Sequence, residues 1–158
     1  MNARLVSIDG STKKTGISYF YNGSYVKHHL INYEKENNVE KRFELMSVGI
    51  WKILDDIKPN IIYIEETYMG NNAQTLKTLT RIQGIVYAWC MNNNCEFNTI
   101  TPKEWRKILE FKQAKDVGRK QLKLQSIEYV ADKYGIAVSD DEADAICISD
   151  AIIKKYSE

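Results

Sequence analysis

The sequence predicts an α/β protein in which helices cover both faces of a five-stranded mixed sheet. Three short segments, residues 4–9, 15–21 and 24–32, are rich in β-branched and aromatic residues and are separated by glycine-containing turns. From about residue 39 onwards, helical and strand-like segments alternate. A strand meander followed by βαβα units gives a sheet with both antiparallel and parallel neighbours.

The turn between the second and third predicted strands is the dipeptide Asn22-Gly23. Both residue types tolerate positive φ, which a two-residue hairpin turn requires. The second and third strands are therefore predicted to be antiparallel neighbours.

The middle of the chain contains two long helices and two strands. Apolar residues at helical spacing predict a helix from residue 39 to 57, which Pro59 follows. The segment "IIYIEE", residues 61–66, predicts a buried strand that ends on two acids. A second long helix is predicted over 73–91, and a fifth strand over 95–100.

The C-terminal third is predicted to be helical. "TPKE", residues 101–104, opens a helix with Thr101 as N-cap, Pro102 at the first helical position and Glu104 completing a capping box.

Two further helices follow. The first covers roughly 116–133, and Gly135 ends it. The last begins at a cap supplied by Ser139 or Asp140 and runs to about Lys155. The element order is therefore β-β-β-α-β-α-β-α-α-α, without a repeat or a linker.

Length and composition define the class of protein. The 158 residues, 44% hydrophobic and 27% charged, suit a single globular domain over 1–158. No apolar run reaches the length of a membrane span, and the first residues lack a signal-peptide pattern. Three cysteines without CxxC spacing favour a reducing compartment. We therefore expect a cytoplasmic protein without membrane association.

Charge is unevenly distributed although the net charge is only +1. Residues 103–123 contain eight lysines and arginines against three acids, whereas the stretch from Asp140 is acidic. This suits a protein that binds a polyanion with one segment and metal ions with another. A solvated helical surface is the alternative.

The segment "DDEADAICISD", residues 140–150, places Asp144 among apolar residues of the last helix. Burying an ionised carboxylate costs roughly several kcal/mol or more of free energy unless the carboxylate is paired or coordinates a metal. The rest of the chain must therefore supply a partner for Asp144.

Acids also follow two central strands. Asp9 ends the first strand, and Glu65 and Glu66 end the fourth. These strands are expected to be parallel neighbours, and their carboxyl ends then share one edge of the sheet. Side chains alternate along a strand, so only one of the two glutamates shares a face with Asp9.

The last helix packs its first acids over the same edge. Asp141 and Asp144 are three residues apart and Asp140 and Asp144 are four apart, so either pair shares a helix face. Converging carboxylates require cations, and hard oxygen ligands select Mg²⁺ or Mn²⁺. The alternative is that each acid is structural, since acids at helix N-termini complement the helix dipole.

Three segments resemble the acidic motifs of the RuvC-type Holliday-junction resolvases, within the ribonuclease H-like superfamily. They are "SIDGSTKKTG" (7–16), "IIYIEETYMGNN" (61–72) and "DDEADAICIS" (140–149). The order and spacing match over nearly the whole chain. The family often has Asp-Pro-Gly in the first motif, whereas this chain has Asp9-Gly10-Ser11. The divergent details are more similar to the phage-encoded branch, which implies location in a bacterial host cell.

The resemblance implies a ribonuclease H-like fold with strand order 3-2-1-4-5. It also implies that Asp9, Glu65, Asp141 and Asp144 are catalytic and bind two Mg²⁺ ions per active site, with Mn²⁺ as a substitute. Asp140 remains an alternative to Asp141. Two metal ions suit phosphodiester hydrolysis that leaves a 5′-phosphate.

The resemblance also implies basic residues near the scissile phosphate. Arg106 or Lys107, with Arg119 or Lys120, are the closest matches by position. Tyr68 is a candidate for stacking on a base exposed at the junction crossover. Alternatively, Tyr68 packs under its own loop.

The implied function is a Mg²⁺-dependent, structure-selective endonuclease that resolves four-way junctions and other branched DNA. The implied assembly is a homodimer with helix 73–91 at its interface, and no nucleotide cofactor is expected. A nuclease for RNA–DNA hybrids or flaps and a non-catalytic module that binds branched DNA are the alternatives. A phosphotransfer protein of the actin and sugar-kinase type is disfavoured, because the chain lacks a second domain and glycine-rich phosphate loops.

Overall fold

The computed structural model describes residues 3–66 and 72–157, and within them the chain forms five strands and five helices. The strands are β1 (Arg4–Gly10), β2 (Lys14–Tyr21), β3 (Ser24–Asn32), β4 (Ile61–Glu65) and β5 (Glu96–Ile100). The helices are α1 (Val39–Ile57), α2 (Ala73–Asn92), α3 (Pro102–Ile108), α4 (Arg119–Tyr134) and α5 (Asp140–Ser157). The predicted element order is confirmed.

The strands form one mixed sheet in the order β3-β2-β1-β4-β5, as predicted. β1 is antiparallel to β2 and parallel to β4, and β5 continues the parallel half. Ile8 of β1 pairs with Ile64 of β4. Asp9 follows Ile8 and Glu65 follows Ile64. The two acids therefore lie side by side at the carboxyl edge of the sheet.

Two hydrophobic cores lie on opposite faces of the sheet. Val6 and Ile8 of β1 pack with α1 and α2 in one core, whereas Leu5 packs with α3, α4 and α5 in the other. The alternation continues in β4, where Tyr63 joins the core of α3, α4 and α5. Asp9 is four residues after Leu5 and Glu65 is two residues after Tyr63, so both side chains lie on the face of the sheet that α5 covers.

The β2–β3 hairpin has the predicted turn. Asn22 has φ of 49° and Gly23 has φ of 79°, and the strands on either side are antiparallel. The positive φ values are those that a two-residue hairpin needs.

The predicted N-terminus of α3 is only half correct. The Thr101 side chain caps the helix by accepting a hydrogen bond of 3.1 Å from the Glu104 N–H. The Glu104 carboxylate does not complete a capping box, because it pairs with Lys155 of α5 at 3.0 Å. A tertiary ion pair has replaced the local hydrogen bond.

Helix α4 begins later than predicted. A turn closed by the hydrogen bond from Val117 N–H to the Ala114 carbonyl (2.9 Å) precedes it, and Gly118 is its N-cap. Gly135 ends the helix in the left-handed conformation, as expected. No helix within residues 3–66 and 72–157 is long and apolar enough to cross a bilayer.

Candidate active site

The N-terminus of α5 is fixed by a capping box and by β3. Ser139 is the cap: its hydroxyl accepts from the Glu142 N–H at 3.4 Å, and its own N–H donates to Glu142 Oε1 at 3.2 Å. Glu142 Oε2 lies 2.9 Å from His28 Nε2 of β3. The first turn of α5 therefore has a defined position relative to the sheet.

Gly16 allows this turn to approach the sheet closely. Gly16 is the register partner of Asp9 across β1 and β2. A Cβ atom at this glycine would lie 2.1 Å from the Asp141 carbonyl oxygen and 2.8 Å from the Glu142 nitrogen. The absence of a side chain at Gly16 thus sets the distance between Asp141 and the end of β1.

Buried hydroxyls connect the middle of α5 to β1 and β2. Ser149 Oγ lies 2.8 Å from Ser7 Oγ and 2.9 Å from Ser18 Oγ. Ser18 also donates to the Ala145 carbonyl at 2.8 Å. These bonds satisfy the polar groups beneath the site and fix the helix against rotation.

The acids from three separate segments act on one another electrostatically. Burial raises the pKa of Asp9 well above its usual value, and the negative charges of Glu65, Asp144, Asp141 and Asp140 raise it further. The tertiary structure therefore places all of the predicted ligands in one negative field at the carboxyl edge of the sheet.

Asp144 is buried without sufficient compensation. Only 7% of it is exposed, and its Oδ1 atom has no hydrogen-bond partner. Burial raises the pKa of Asp144 to about 7, Glu65 and Asp140 act in the same direction, and Ser126 and Arg106 oppose them. A buried carboxylate oxygen without a donor is a position at which a cation would be stabilised.

Glu65 is held by a tryptophan. Its Oε2 atom accepts a hydrogen bond of 2.9 Å from Trp105 Nε1 of α3. Burial raises the pKa of Glu65 and the charge of Asp141 adds to the increase, whereas the Trp105 bond and the charge of Arg106 lower it. No sequence pattern indicated this bond, because it joins two residues that are 40 positions apart.

Glu66 extends to the other face of the sheet, as strand alternation predicts. Gln83 of α2 donates to Glu66 Oε1 and to the Glu65 carbonyl, each at 3.3 Å. The Glu66 N–H donates to the Ile100 carbonyl at 2.8 Å. Of the two glutamates, Glu65 is therefore the one that shares a field with Asp9.

Asp140 and Asp141 differ in their partners. Asp140 forms an ion pair with Lys123 of α4. Burial raises the pKa of Asp140, but the hydrogen bond and charge of Lys123 together with backbone hydrogen bonds outweigh it, and the net shift of the pKa is downward. The pKa of Asp141 is raised by burial and by Asp140, against the positive charges of Lys123 and Lys14. The charge of Asp140 is thus already compensated by the protein.

The donor chemistry and charge of the acids fit a hard divalent cation, whereas the distances between their side chains do not form a closed ligand set. The orphan oxygen of Asp144 and the crowded charges around Asp9 both favour a bound cation. Among residues 3–66 and 72–157, however, no three His, Cys, Asp or Glu side chains are arranged closely enough to ligate one ion.

The predicted DNA-binding residues fall into two groups. The charges of Arg106 and Arg119 act on Glu65, and the Nε atom of Arg106 is buried without a hydrogen-bond partner. Lys107 and Lys120 are exposed. Tyr68 lies outside the described residues.

A mixed sheet in the order 3-2-1-4-5, with acids at the ends of β1 and β4 and on the first turn of α5, defines a ribonuclease H-like fold with an acidic edge. The family of the crossover junction endodeoxyribonuclease RuvC matches residues 5–151. The chain therefore belongs to the RuvC family.

Individual relatives agree with this assignment. The chain is 24% identical over 153 residues to the crossover junction endodeoxyribonuclease RuvC of Caldicellulosiruptor saccharolyticus, covering 92% of this chain and 89% of the relative. T. thermophilus RuvC, solved in complex with a Holliday junction substrate, superposes with a TM-score of 0.72 at 10% identity, over 98% of this chain and 95% of that one. Fowlpox virus resolvase, solved with Holliday junction DNA, gives a TM-score of 0.67 at 13% identity, over 98% and 99%. The two structures show a shared fold.

Proposed function

We propose that this protein is a divalent-metal-dependent endonuclease that cleaves Holliday junctions and other branched DNA, with residues 1–158 as a single nuclease domain. The observation that carries the proposal is the negative field shared by Asp9, Glu65, Asp141 and Asp144, in which one buried oxygen of Asp144 lacks a partner. Membership of the RuvC family supports the substrate class. Origin in a phage remains a prediction.

We propose Asp9, Glu65, Asp141 and Asp144 as the ligands of two Mg²⁺ ions, with Mn²⁺ as a substitute. RuvC-family nucleases depend in general on divalent metal ions. When bound at a phosphodiester, such ions stabilise both the attacking and the leaving oxygen. Pairing of Asp140 with Lys123 supports Asp141 as the ligand, because Asp140 already has a cation.

The chain's own residues would orient the carboxylates and the DNA. Trp105 fixes one oxygen of Glu65, and the backbone at Gly16 sets the position of Asp141. Arg106 and Arg119 bring positive charge to the edge where a phosphate would bind, with Lys107 and Lys120 as further candidates on the same segment. Binding through such cations weakens as salt rises.

We further propose a homodimer with α2 at the interface, which would give two cleavage sites to a four-way junction. Gly84, Tyr87 and Met91 lie at helical spacing on the outer face of α2. Tyr87 is 50% exposed and Met91 is 66% exposed, so an apolar strip of this helix is available to a second copy. Light scattering of wild type and Met91→Glu tests this proposal: a dimer that the substitution converts to monomer supports it.

Cleavage of a labelled four-way junction tests the function. We expect paired, symmetric cuts with Mg²⁺ and none with EDTA, and only weak cutting of linear duplex. Asp144→Asn should retain junction binding and lose cleavage. Cutting of an RNA–DNA hybrid alone would instead indicate a ribonuclease H, and binding without cutting in any metal would indicate a non-catalytic module.

A further inference from the structure

The indole of Trp105 makes a direct hydrogen bond to a proposed metal ligand. We infer that Trp105 is a positioning residue that holds Glu65 in the orientation needed to bind a divalent cation. This inference rests on the proposed metal-dependent function and concerns a residue that has no role in the acidic motifs themselves.

The position of Trp105 is rigidly determined. It is the largest fully buried side chain of the described residues, with 0% exposure, and it lies on the helix that Thr101 caps. Phe111 packs against its ring edge-to-face with centroids 5.8 Å apart. Arg106 covers the ring at 4.8 Å from the guanidinium carbon to the centroid. The indole N–H therefore points at Glu65 from a fixed support.

The chemistry of the bond explains what it does for Glu65. An indole N–H only donates and does not titrate, so it stabilises an ionised carboxylate over a protonated one. It occupies Oε2 at 2.9 Å and restrains rotation of the carboxylate, which leaves Oε1 as the oxygen for a cation. Such contacts behind a metal ligand typically change metal affinity by about 10- to 100-fold.

A second tryptophan supplies a matched control. Trp89 of α2 is 2% exposed, and its Nε1 atom donates to Asp55 Oδ1 at 2.8 Å. Both tryptophans are thus buried and both donate to a carboxylate. Asp55 lies near the C-terminus of α1, beside Arg4 at the opposite edge of the sheet, away from the acid cluster. Phenylalanine at either position removes the N–H and keeps an aromatic ring.

The main measurement is calorimetric titration of Mn²⁺ into the DNA-free protein. We expect Trp105→Phe to weaken Mn²⁺ binding about tenfold or more, and Trp89→Phe to change it less than about twofold. In junction cleavage, Trp105→Phe should raise the Mg²⁺ concentration needed for half-maximal rate and recover much of the rate at saturating Mg²⁺. Thermal unfolding of both variants measures their loss of stability. Equal effects of the two substitutions on Mn²⁺ affinity would overturn the inference.

A second experiment leaves Trp105 intact and remains informative if Trp105→Phe does not fold. Trp51→Phe combined with Trp89→Phe makes Trp105 the sole tryptophan. Paramagnetic Mn²⁺ bound at Glu65 should quench its fluorescence, and adding Glu65→Gln should abolish the quenching. Calorimetric binding without any quenching would place the ion elsewhere and overturn the inference.

These outcomes are separable from failure of the proposed function. Junction cleavage by the wild type tests that function, whereas Mn²⁺ affinity and quenching are measured without DNA. A protein that binds Mn²⁺ through Glu65 and Trp105 but does not cut junctions would retain the positioning role and lose the substrate assignment.

Discussion

Two aspartates on α5 are about equally buried, but they differ in the charged residues around them. Asp144 is 7% exposed and Asp150 is 5% exposed. The Oδ1 atom of Asp150 accepts from the Tyr134 hydroxyl at 2.8 Å and pairs with Lys133 Nζ at 3.0 Å. On Asp144, the negative charges of Glu65 and Asp140 act against the positive charge of Arg106.

Burial alone therefore does not identify a functional acid. Each of these aspartates has one carboxylate oxygen without a hydrogen-bond partner, Oδ1 of Asp144 and Oδ2 of Asp150. Lys133, which also lies over the rings of Tyr129 and Tyr134, compensates the charge of Asp150. Asp144 has less compensating positive charge, and this difference is the reason that we propose it as a metal ligand.

Neutralising each aspartate should give the largest contrast. Asp144→Asn should lower junction cleavage by more than about a hundredfold, because removing a metal ligand has a larger effect than removing a residue that hydrogen-bonds to a ligand. Asp150→Asn should leave the cleavage rate within about threefold and destabilise the protein by roughly 1–3 kcal/mol, since Lys133 and Tyr134 lose a charged partner. Cleavage kinetics and urea unfolding of both variants provide the test. Equal losses of activity would contradict the comparison.

Gly16→Ala should disturb the Asp144 end of α5 and spare the Asp150 end. The new methyl group would overlap the Asp141 carbonyl, so the first turn must shift. We expect cleavage to fall about 10- to 100-fold and stability to fall by roughly 1–3 kcal/mol. Hydrogen exchange should increase over residues 139–145 and stay unchanged over 148–155. Gly49→Ala of α1 is the control, because the nearest atoms to a Cβ there all belong to the Ile31 side chain, at 3.3 Å and beyond.

The two aspartates should also differ, by a smaller amount, in how the free energy of unfolding of the metal-free protein depends on pH. The Asp144 carboxyl keeps its proton up to about pH 7 in the folded protein and loses it near pH 3.8 when unfolded. Between these values the folded state binds more protons, so the free energy of unfolding decreases as pH rises and the loss is complete above about pH 7. The contribution of Asp144 is on the order of 2–4 kcal/mol.

Urea unfolding in EDTA at pH 5 and pH 8 checks this prediction. Wild type and Asp150→Asn should both lose stability between the two values. Asp144→Asn should lose less, and the loss that remains comes from neighbours such as Asp9, whose pKa is also raised. At pH 8 without metal, Asp144→Asn should exceed wild type in stability, and Mg²⁺ should reverse that order. A wild type that is more stable at pH 8 than at pH 5 in EDTA would contradict the shift.

Much of the fold follows from local sequence. Positive φ at Asn22-Gly23 requires residues that tolerate it, so the hairpin could be predicted from two residues. Strand alternation was sufficient to separate Glu65 from Glu66. The Glu104 capping box was wrong because Lys155, about fifty residues away in sequence, pairs with that carboxylate. Local rules describe the backbone well and fail where a distant charge competes.

Local sequence is sufficient to predict the order and type of the elements, the alternation that places Asp9 and Glu65 on one face, and the acids on the first turn of α5. These depend on periodicity and chain geometry, which are properties of neighbouring residues. Packing between elements determined that Trp105 donates to Glu65 and that Lys123, rather than a metal ion, compensates the charge of Asp140. It also decided that Lys133 neutralises Asp150 while Asp144 remains short of positive charge. These outcomes depend on distances between side chains of different elements, which packing sets and no local pattern encodes.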